Sequence, residues 1–223
     1  LNPFFGYLGR LIDSDLRNNP IIDQSDLINW TSLDIKKSKE VVDFLDLKYI
    51  ILNNEMPYAA TLSAKLNELG FENQMAEKIF SLWKRIPENK DFLSIDLGKE
   101  NDINYLGMGW HGPEINFRWS DKKNFVMFKT IKQKKYKLHF IAATFYKDQP
   151  VTIYLNKKKI EKIIISTQMK EYSIPIDVKF EPGINAVYFM FDKYYRPIDV
   201  IPGSFDKRKL SAKFIKIWLV EQK

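Results

Sequence analysis

The chain contains no cysteine and only two histidines among its 223 residues. Disulfide bonds and thiolate metal sites are therefore excluded, and so is a zinc site built from several histidines. No apolar run reaches the roughly 18 to 20 residues of a membrane-spanning helix. No G-x-S-x-G elbow presents a serine nucleophile. These absences remove the common signatures of hydrolases and zinc enzymes, and they direct attention to binding.

Aromatic residues make up 14% of the sequence and hydrophobic residues 45%, which is typical of a chain with a packed core. The net charge of +7 is unevenly distributed. Residues 1–88 hold 10 basic and 13 acidic side chains, whereas the remainder holds 25 basic and 15 acidic ones. This asymmetry favours two modules, with the polar segment "PENKD" (87–91) between them. The basic runs contain few aromatic residues, so they do not indicate nucleic acid as a partner; acidic glycans or anionic headgroups remain open.

Residues 1–88 predict a small α/β module. The segment 35–46 has helical spacing of its apolar residues, and "LKYIILN" (47–53) reads as a strand that is buried on both faces. A second helix is predicted between Pro57 and Gly70, followed by two short strands within 71–86. Helices that alternate with strands imply parallel pairing through crossover connections. No G-x-G-x-x-G motif or P-loop follows the first strand, so nucleotide binding has no support there.

From residue 91 to residue 223 the apolar residues recur with the period of strands. Eight β-branched or aromatic segments are separated by turns rich in Asn, Lys, Pro and Gly. They predict an antiparallel β-sandwich of jelly-roll type. The whole chain is therefore expected to be an α+β protein of two modules, 1–88 and 91–223.

The stretch "YLGMGWHGPEINFRWS" (105–120) concentrates aromatic and charged side chains in what reads as a glycine-rich loop. An indole stacks well on the C–H face of a pyranose, and Arg and Glu suit its hydroxyls. The candidate saccharide contacts are Trp110, His111, Glu114, Arg118 and Trp119 in this loop, with Tyr194 and Tyr195 from a second aromatic loop. The alternative is structural: both indoles plug the end of the core, and the alternation of Phe117 with Trp119 favours burial of Trp119.

A catalytic constellation is missing, since neither a nucleophile nor a marked carboxylate pair accompanies His111 and Glu114. Two ion pairs are predicted instead, because the first and last strands of a jelly roll are commonly neighbours. Glu114 would meet Arg208, and Arg118 would meet Asp206, locking the loop to the last strand. No cofactor is indicated, and no D-x-D run supports a structural calcium ion.

Three segments resemble β-sandwich domains at the C-termini of bacterial membrane glycosyltransferase-like and polysaccharide-biosynthesis proteins. They are "LGMGWHGPEINFRWS", "VTIYLNKKKI" and "PIDVIPGSFDKRKLSAKFIKIWL". The residues that match the pattern are Gly109, Trp110, Glu114, Arg118, Trp119, Asn156, Asp206, Arg208, Leu210, Ser211 and Ala212. Lys157 departs from it where a glycine is usual, and His111–Gly112–Pro113 is this chain's own filling. "VVDFLDLKYIILNNE" and "LNELGFENQMAEKIFSLWKRI" resemble extracytoplasmic tails of lipid-linked-sugar transferases.

The resemblance implies a non-catalytic, extracytoplasmic accessory region of a bacterial membrane protein concerned with surface glycans. The partners would be a saccharide or a lipid-linked glycan, and a membrane reached through an N-terminal transmembrane portion outside this fragment. Any catalytic aspartates would belong to that portion of a parent glycosyltransferase. Two other functions stay open: a structural or protein-interaction domain without a sugar ligand, and a glycan-processing enzyme.

Overall fold

The computed structural model describes residues 35–55, 59–86, 88–99 and 102–222. The chain divides into two compact units, residues 1–88 and 89–223.

The described part of the first unit contains two helices and three strands. Helix α1 spans Ile35–Phe44, strand β1 spans Tyr49–Asn53 and helix α2 spans Ala59–Glu68. Strands β2 (Glu72–Ala76) and β3 (Phe80–Lys84) follow as a hairpin. Gly70 ends α2 with a positive φ of 84°, and the N–H of Phe71 donates to the carbonyl of Leu66, which is a common glycine C-cap.

The three strands form an antiparallel sheet in the order β1-β3-β2, so the predicted parallel pairing is wrong. Helix α2 does bring the chain back so that β2 runs in the same direction as β1. However, β3 lies between these two strands and is antiparallel to both. The tight hairpin at 77–79 places β3 beside β2, and its second edge then pairs with β1. Strand β3 buries the side chains of Ser81 and Trp83, whereas every residue of β2 is exposed. The strand with the buried side chains therefore occupies the centre of the sheet.

Strand β1 is buried on one face, not on both as predicted. Leu52 is buried, whereas Ile51 is 73% exposed. The two described helices lie on one side of the sheet, where Leu52 and Trp83 join a core to which both helices contribute. Its other members are Val42, Ala59, Leu66, Leu69 and Phe71. The short apolar run is therefore a half-buried strand whose outer side chains happen to be apolar.

The second unit is a β-sandwich of ten strands, and the fold class predicted from the sequence is confirmed. The strands are β4 (Ser94–Asp96), β5 (Trp110–Glu114), β6 (Phe117–Ser120), β7 (Lys123–Thr130), β8 (Tyr136–Thr144), β9 (Gln149–Leu155), β10 (Lys158–Ile165), β11 (Lys170–Pro175), β12 (Gly183–Phe191) and β13 (Ala212–Glu221). A 3₁₀ helix at Asp102–Tyr105 precedes β5, and the short helix α3 spans Pro197–Val200.

These strands form two antiparallel sheets. One has the order β10-β9-β12-β7, and the other has the order β11-β8-β13-β6-β5, with β4 pairing along part of β13. The last strand is central to the larger sheet, because it pairs with β8 on one side and with β6 and β4 on the other.

Aromatic side chains fill the interior between the sheets. Phe189 of the smaller sheet lies 5.1 Å from Phe214 and 5.2 Å from Phe140, measured between ring centroids, and all three are fully buried. Contacts of this kind add to the free energy gained by burying the rings.

The turn between β9 and β10 explains why Lys157 can stand where the pattern described above usually has glycine. Only Asn156 has a positive φ there (55°), and asparagine tolerates this conformation. Its side chain is also engaged, because Oδ1 accepts a hydrogen bond from the N–H of Ala186 at 2.8 Å. Lys157 therefore avoids the left-handed backbone that would have required glycine.

Candidate functional site

The tryptophan-rich stretch is a β-hairpin, not the irregular loop that its glycines suggested. Strands β5 and β6 pair through Glu114 and Phe117 at the turn end, with an irregularity between Trp110 and Pro113. Two glycines are needed for close approach: a Cβ at Gly109 would lie 1.8 Å from the carbonyl oxygen of Lys123, and one at Gly107 would meet the ring of Phe125. These glycines let the hairpin pack tightly on β7.

The glycine spacing of this segment is G-x-G-x-x-G, at Gly107, Gly109 and Gly112. The motif binds a dinucleotide only when it leads from a strand into a helix whose N-terminus meets the phosphates. Here it leads into strand β5. The spacing therefore serves packing and gives no support to nucleotide binding.

Trp110 packs into the end of the sandwich and does not stand out from its rim. Its indole N–H donates to the backbone carbonyl of Phe125 at 2.8 Å. Its ring lies edge-on to Phe214, with centroids 5.4 Å apart. The side chain keeps partial exposure, but its hydrogen-bonding group is already used within the protein. Trp110 therefore acts first as a structural plug.

Arg118 is the buried charge of the hairpin, and its partner differs from the prediction. It is 5% exposed and donates to both carboxylate oxygens of Asp102, at 2.6 Å each. A third hydrogen bond runs from Arg118 Nη1 to the carbonyl of His111 at 2.8 Å. The expected pair with Asp206 is thus wrong, because Arg118 points inward from β6 and meets the 3₁₀ helix there.

Glu114 and Arg208 form the other predicted contact, at 2.9 Å between Oε1 and Nη1. Arg208 also binds Asp206, at 2.8 Å between Nη2 and Oδ2. Hydrogen bonds from the guanidinium and the backbone N–H of Arg208 lower the pKa of Asp206, and the two carboxylates raise the pKa of Arg208. The side chain of Arg208 is thus fixed between two acids at the sandwich surface, joining the hairpin to the segment before β13.

Trp119 lies on the outer face of the larger sheet, contrary to the burial that the structural alternative favoured. Arg118 and Ser120 take the inner positions of β6, which leaves Phe117 and Trp119 half-exposed outside. Trp119 makes edge-to-face contacts with Phe117 and Phe145, at centroid distances of 5.9 and 5.5 Å. We refer to Phe117, Trp119 and Phe145 as the aromatic strip.

Lys213 lies directly opposite Trp119 in the register of β13 and β6. Its ammonium group sits over the strip, 5.6 Å from the centroid of Phe117 and 5.9 Å from that of Trp119. Neither Phe145 nor Lys213 was among the residues predicted from the sequence. The only signal that points to Lys213 is strand register, which a single sequence does not reveal.

The two tyrosines of the second aromatic loop lie at the same end of the sandwich. Tyr195 pairs through its backbone with Leu210, and its ring is 5.2 Å from that of Tyr146. Tyr194 is exposed, and the ammonium of Lys209 lies 5.1 Å from its ring centroid. His111 reaches this segment too, since its Nε2 lies 2.8 Å from the carbonyl oxygen of Lys209. The candidate residues thus gather at one end, with Trp110 and Arg118 facing inward there.

Within the part of the chain that the structure describes, no group of three or more His, Asp or Glu side chains is placed to hold a metal ion. In those same ranges, no helix is both long and apolar enough to cross a bilayer.

No protein-family model matches this sequence, and no curated protein is significantly similar to it. Solved structures similar to the chain include carbohydrate-binding modules. The GH26–CBM35 β-(1,4)-mannanase of Podospora anserina is 11% identical over 61% of this chain and 28% of its own length, with a TM-score of 0.39. The C-terminal family 6 module of a Zobellia galactanivorans laminarinase is 9% identical, over 59% of this chain and 99% of its own, with a TM-score of 0.37.

A family 35 module from Cellvibrio japonicus is 10% identical over 59% of this chain and 90% of its own, with a TM-score of 0.35. The chain spans little more than a quarter of the length of the mannanase. The identities are near one residue in ten and the TM-scores are below 0.5.

Proposed function

We propose that the sandwich binds a saccharide on the outer surface formed by β6, β13 and the segment after β8. The aromatic strip is the observation that carries this proposal. Three aromatic rings lie edge to face on a sheet surface, and the central one, Trp119, is a half-exposed indole. Aromatic side chains placed this way offer a rigid apolar area of the size of a sugar ring.

Polar groups beside the strip support the same function. Glu114 pairs with Phe117 across the hairpin, so its carboxylate lies on the same face as the strip. Arg208 is held by Glu114 and Asp206 in a fixed orientation. Groups that are oriented before a ligand arrives lose little conformational entropy when they bind its hydroxyls.

The proposal is tested by saccharide binding to the wild type and to two matched tryptophan variants. Trp119→Ala removes the central ring of the strip. Trp218→Ala is the control, because Trp218 is also half-exposed on β13, where it stacks on His139 at a centroid distance of 5.2 Å. We expect glycan-array screening followed by calorimetry to find a ligand whose binding falls at least about tenfold in Trp119→Ala, in line with the loss of a buried aromatic contact. Trp218→Ala should bind normally.

Two outcomes would overturn the proposal. The first is that no saccharide binds the correctly folded wild type, which would favour a structural or protein-interaction domain. The second is that Trp218→Ala abolishes binding while Trp119→Ala does not, which would move the site away from the strip. Release of reducing ends from a bound glycan would instead favour the enzymatic alternative.

We also propose that this region is a non-catalytic accessory part of a bacterial membrane protein of surface-glycan synthesis, exposed outside the cytoplasm. The support is the resemblance carried by the hairpin and by the Asp206–Ala212 segment. The ligand in that setting is a saccharide or a lipid-linked glycan. Labelling of the sandwich by antibody in intact cells of the source organism tests the location, and labelling only after permeabilisation would contradict it.

A further inference from the structure

Three lysines at the aromatic end of the sandwich each hold an ammonium group over an aromatic ring. Lys213 lies over Phe117 and Trp119, at 5.6 and 5.9 Å from their centroids. Lys209 lies 5.1 Å from the ring centroid of Tyr194, and Lys147 lies 5.4 Å from that of Tyr146. A cation over the face of an aromatic ring is attracted by the ring's electron density, so this arrangement presents rings and positive charges together.

These three ammonium groups are not neutralised by acids. Among the residues that the structure describes, none of the three forms a salt bridge, whereas Lys134, Lys162 and Lys216 do. Lys134 binds Glu221 at 2.7 Å, Lys162 binds Asp192 at 3.2 Å, and Lys216 binds Asp96 at 3.2 Å. Glu114, which lies on the same face as the strip, and Asp206 are both held by Arg208. The positive charges of these three lysines are therefore available to pair with an anionic ligand.

We propose that the saccharide recognised at this site is anionic, carrying carboxylate or sulfate groups on its rings. This inference rests on the proposed function, because it assumes that the aromatic strip receives a sugar. The C–H face of one residue of the glycan packs on Trp119 in place of the Lys213 ammonium, which lies over that ring in the free protein and moves aside to meet the acidic substituent. Lys209 and Lys147 bind acidic substituents of neighbouring sugar residues over the two tyrosines.

Lysine suits this task because its ammonium is a compact charge on a flexible stem. It can move from the ring towards an anionic group, since an exposed cation–π contact is weak. A neutral sugar would retain the stacking and forgo the charge contact. We therefore expect neutral and acidic sugars to stack on the same surface. An acidic sugar should bind more tightly, because its acidic group also contacts the lysines.

The test compares glycans that share a backbone and differ in the charge of its substituents. The first pair is oligogalacturonate and its methyl ester, which tests recognition of carboxylates. The second pair is unsulfated and sulfated chondroitin oligosaccharides, which tests recognition of sulfates. We expect the wild-type protein to bind at least one acidic member about tenfold more tightly than its less charged counterpart, the scale of one or two charge-assisted contacts. Raising the salt concentration should reduce that preference, because these groups are exposed.

Lys213→Gln and Lys216→Gln form the matched pair of variants. Both residues lie on β13 and are half-exposed, but Lys216 is paired with Asp96. Lys213→Gln should weaken binding of the acidic glycan about three- to tenfold and leave the neutral one unchanged. Lys216→Gln should change neither.

The outcomes separate this inference from the function on which it rests. Equal binding of charged and uncharged glycans, lost in Trp119→Ala, would overturn the acidic preference and keep saccharide recognition. Absence of binding to any glycan would overturn both. Binding of acidic glycans that is abolished by salt, unaffected by Trp119→Ala and equally weakened by both lysine variants would show non-specific attraction to a basic surface, and would also overturn both.

Discussion

Arg118 and Asp102 form a bidentate ion pair inside the sandwich, with two hydrogen bonds of 2.6 Å. The acid belongs to the 3₁₀ helix and the base to β6, and Asp102 Oδ2 also accepts the N–H of Gly98 at 2.7 Å. The pair therefore joins three segments that have no regular pairing with one another. Its energetic role is to leave no charge unpaired after the hairpin has folded onto the core.

Replacing Arg118 by Met should destabilise the sandwich strongly. The carboxylate of Asp102 would remain buried without its partner, and loss of one member of such a pair costs about 3 to 5 kcal/mol. Urea unfolding of the two proteins measures this difference. Arg196→Met is the control, since Arg196 forms an exposed pair with Asp199 at 2.7 Å and its loss should have little effect. A similar small effect of both substitutions would contradict this role for Arg118.

Gly109→Ala should destabilise the hairpin, whereas Gly112→Ala should be tolerated. Gly109 has a φ of 90°, and an added Cβ would collide with the backbone of Lys123, whereas a Cβ at Gly112 meets nothing within 4 Å. Strain of this kind costs on the order of 1 to 3 kcal/mol, and the collision adds to it. The melting temperatures of the two variants provide the comparison. Equal melting temperatures would mean that the backbone here shifts to admit a side chain.

The sandwich was predictable from the sequence because alternation within each strand is a local property. Eight segments are predicted in this way, but β5 is not, and β6 is indicated only by the alternation of Phe117 with Trp119. Three glycines and Pro113 obscure the pattern of this hairpin, and the second strand that pairs with β6 is more than 90 residues further along the chain. Local periodicity does not reveal a partner so distant in sequence, so the pattern predicts a loop here.

The same limit explains the errors within the site. The spacing of Phe117 and Trp119 places them on one face of a strand, but only the neighbouring strands determine which face is inside. Asp102 was not identified as the partner of Arg118, because a four-residue 3₁₀ helix leaves no periodic signal. The contact between Glu114 and Arg208 can be predicted from the sequence, because it depends only on early and late strands of the sandwich being neighbours.

Strand β1 offers a test of how the first unit is layered. Leu52→Ala should cost about 2 to 5 kcal/mol, because it leaves a cavity in the core shared with Trp83. Ile51→Ala, one residue earlier, should change the stability by less than about 0.5 kcal/mol, since that side chain faces away from the helices. Amide hydrogen exchange at β1 and β3 reports on this unit alone. A larger effect at Ile51 would mean that its face of the sheet is covered.

The contact between Asp206 and Arg208 predicts a dependence on pH. Arg208 lowers the pKa of Asp206 in the folded protein, so the contact stabilises the fold above the ordinary pKa of an aspartate, near 4. That stabilisation is lost as the pH falls through the lower folded-state pKa. Asp206→Asn should therefore be less stable than the wild type at pH 7, and the difference should shrink below about pH 3. Thermal unfolding at both pH values checks this, and a constant difference would contradict it.

The central place of β13 also bears on how the protein is made. Ile217 pairs with Ile95 of β4, yet the ribosome adds it more than 120 residues later. At about 5 to 20 residues per second, translation separates these two strands by roughly 6 to 25 seconds. Once synthesised, β6 and β8 are without the neighbour that joins them until β13 follows, and their unpaired backbone edges are open to other strands. The larger sheet therefore cannot be completed until β13 has been synthesised.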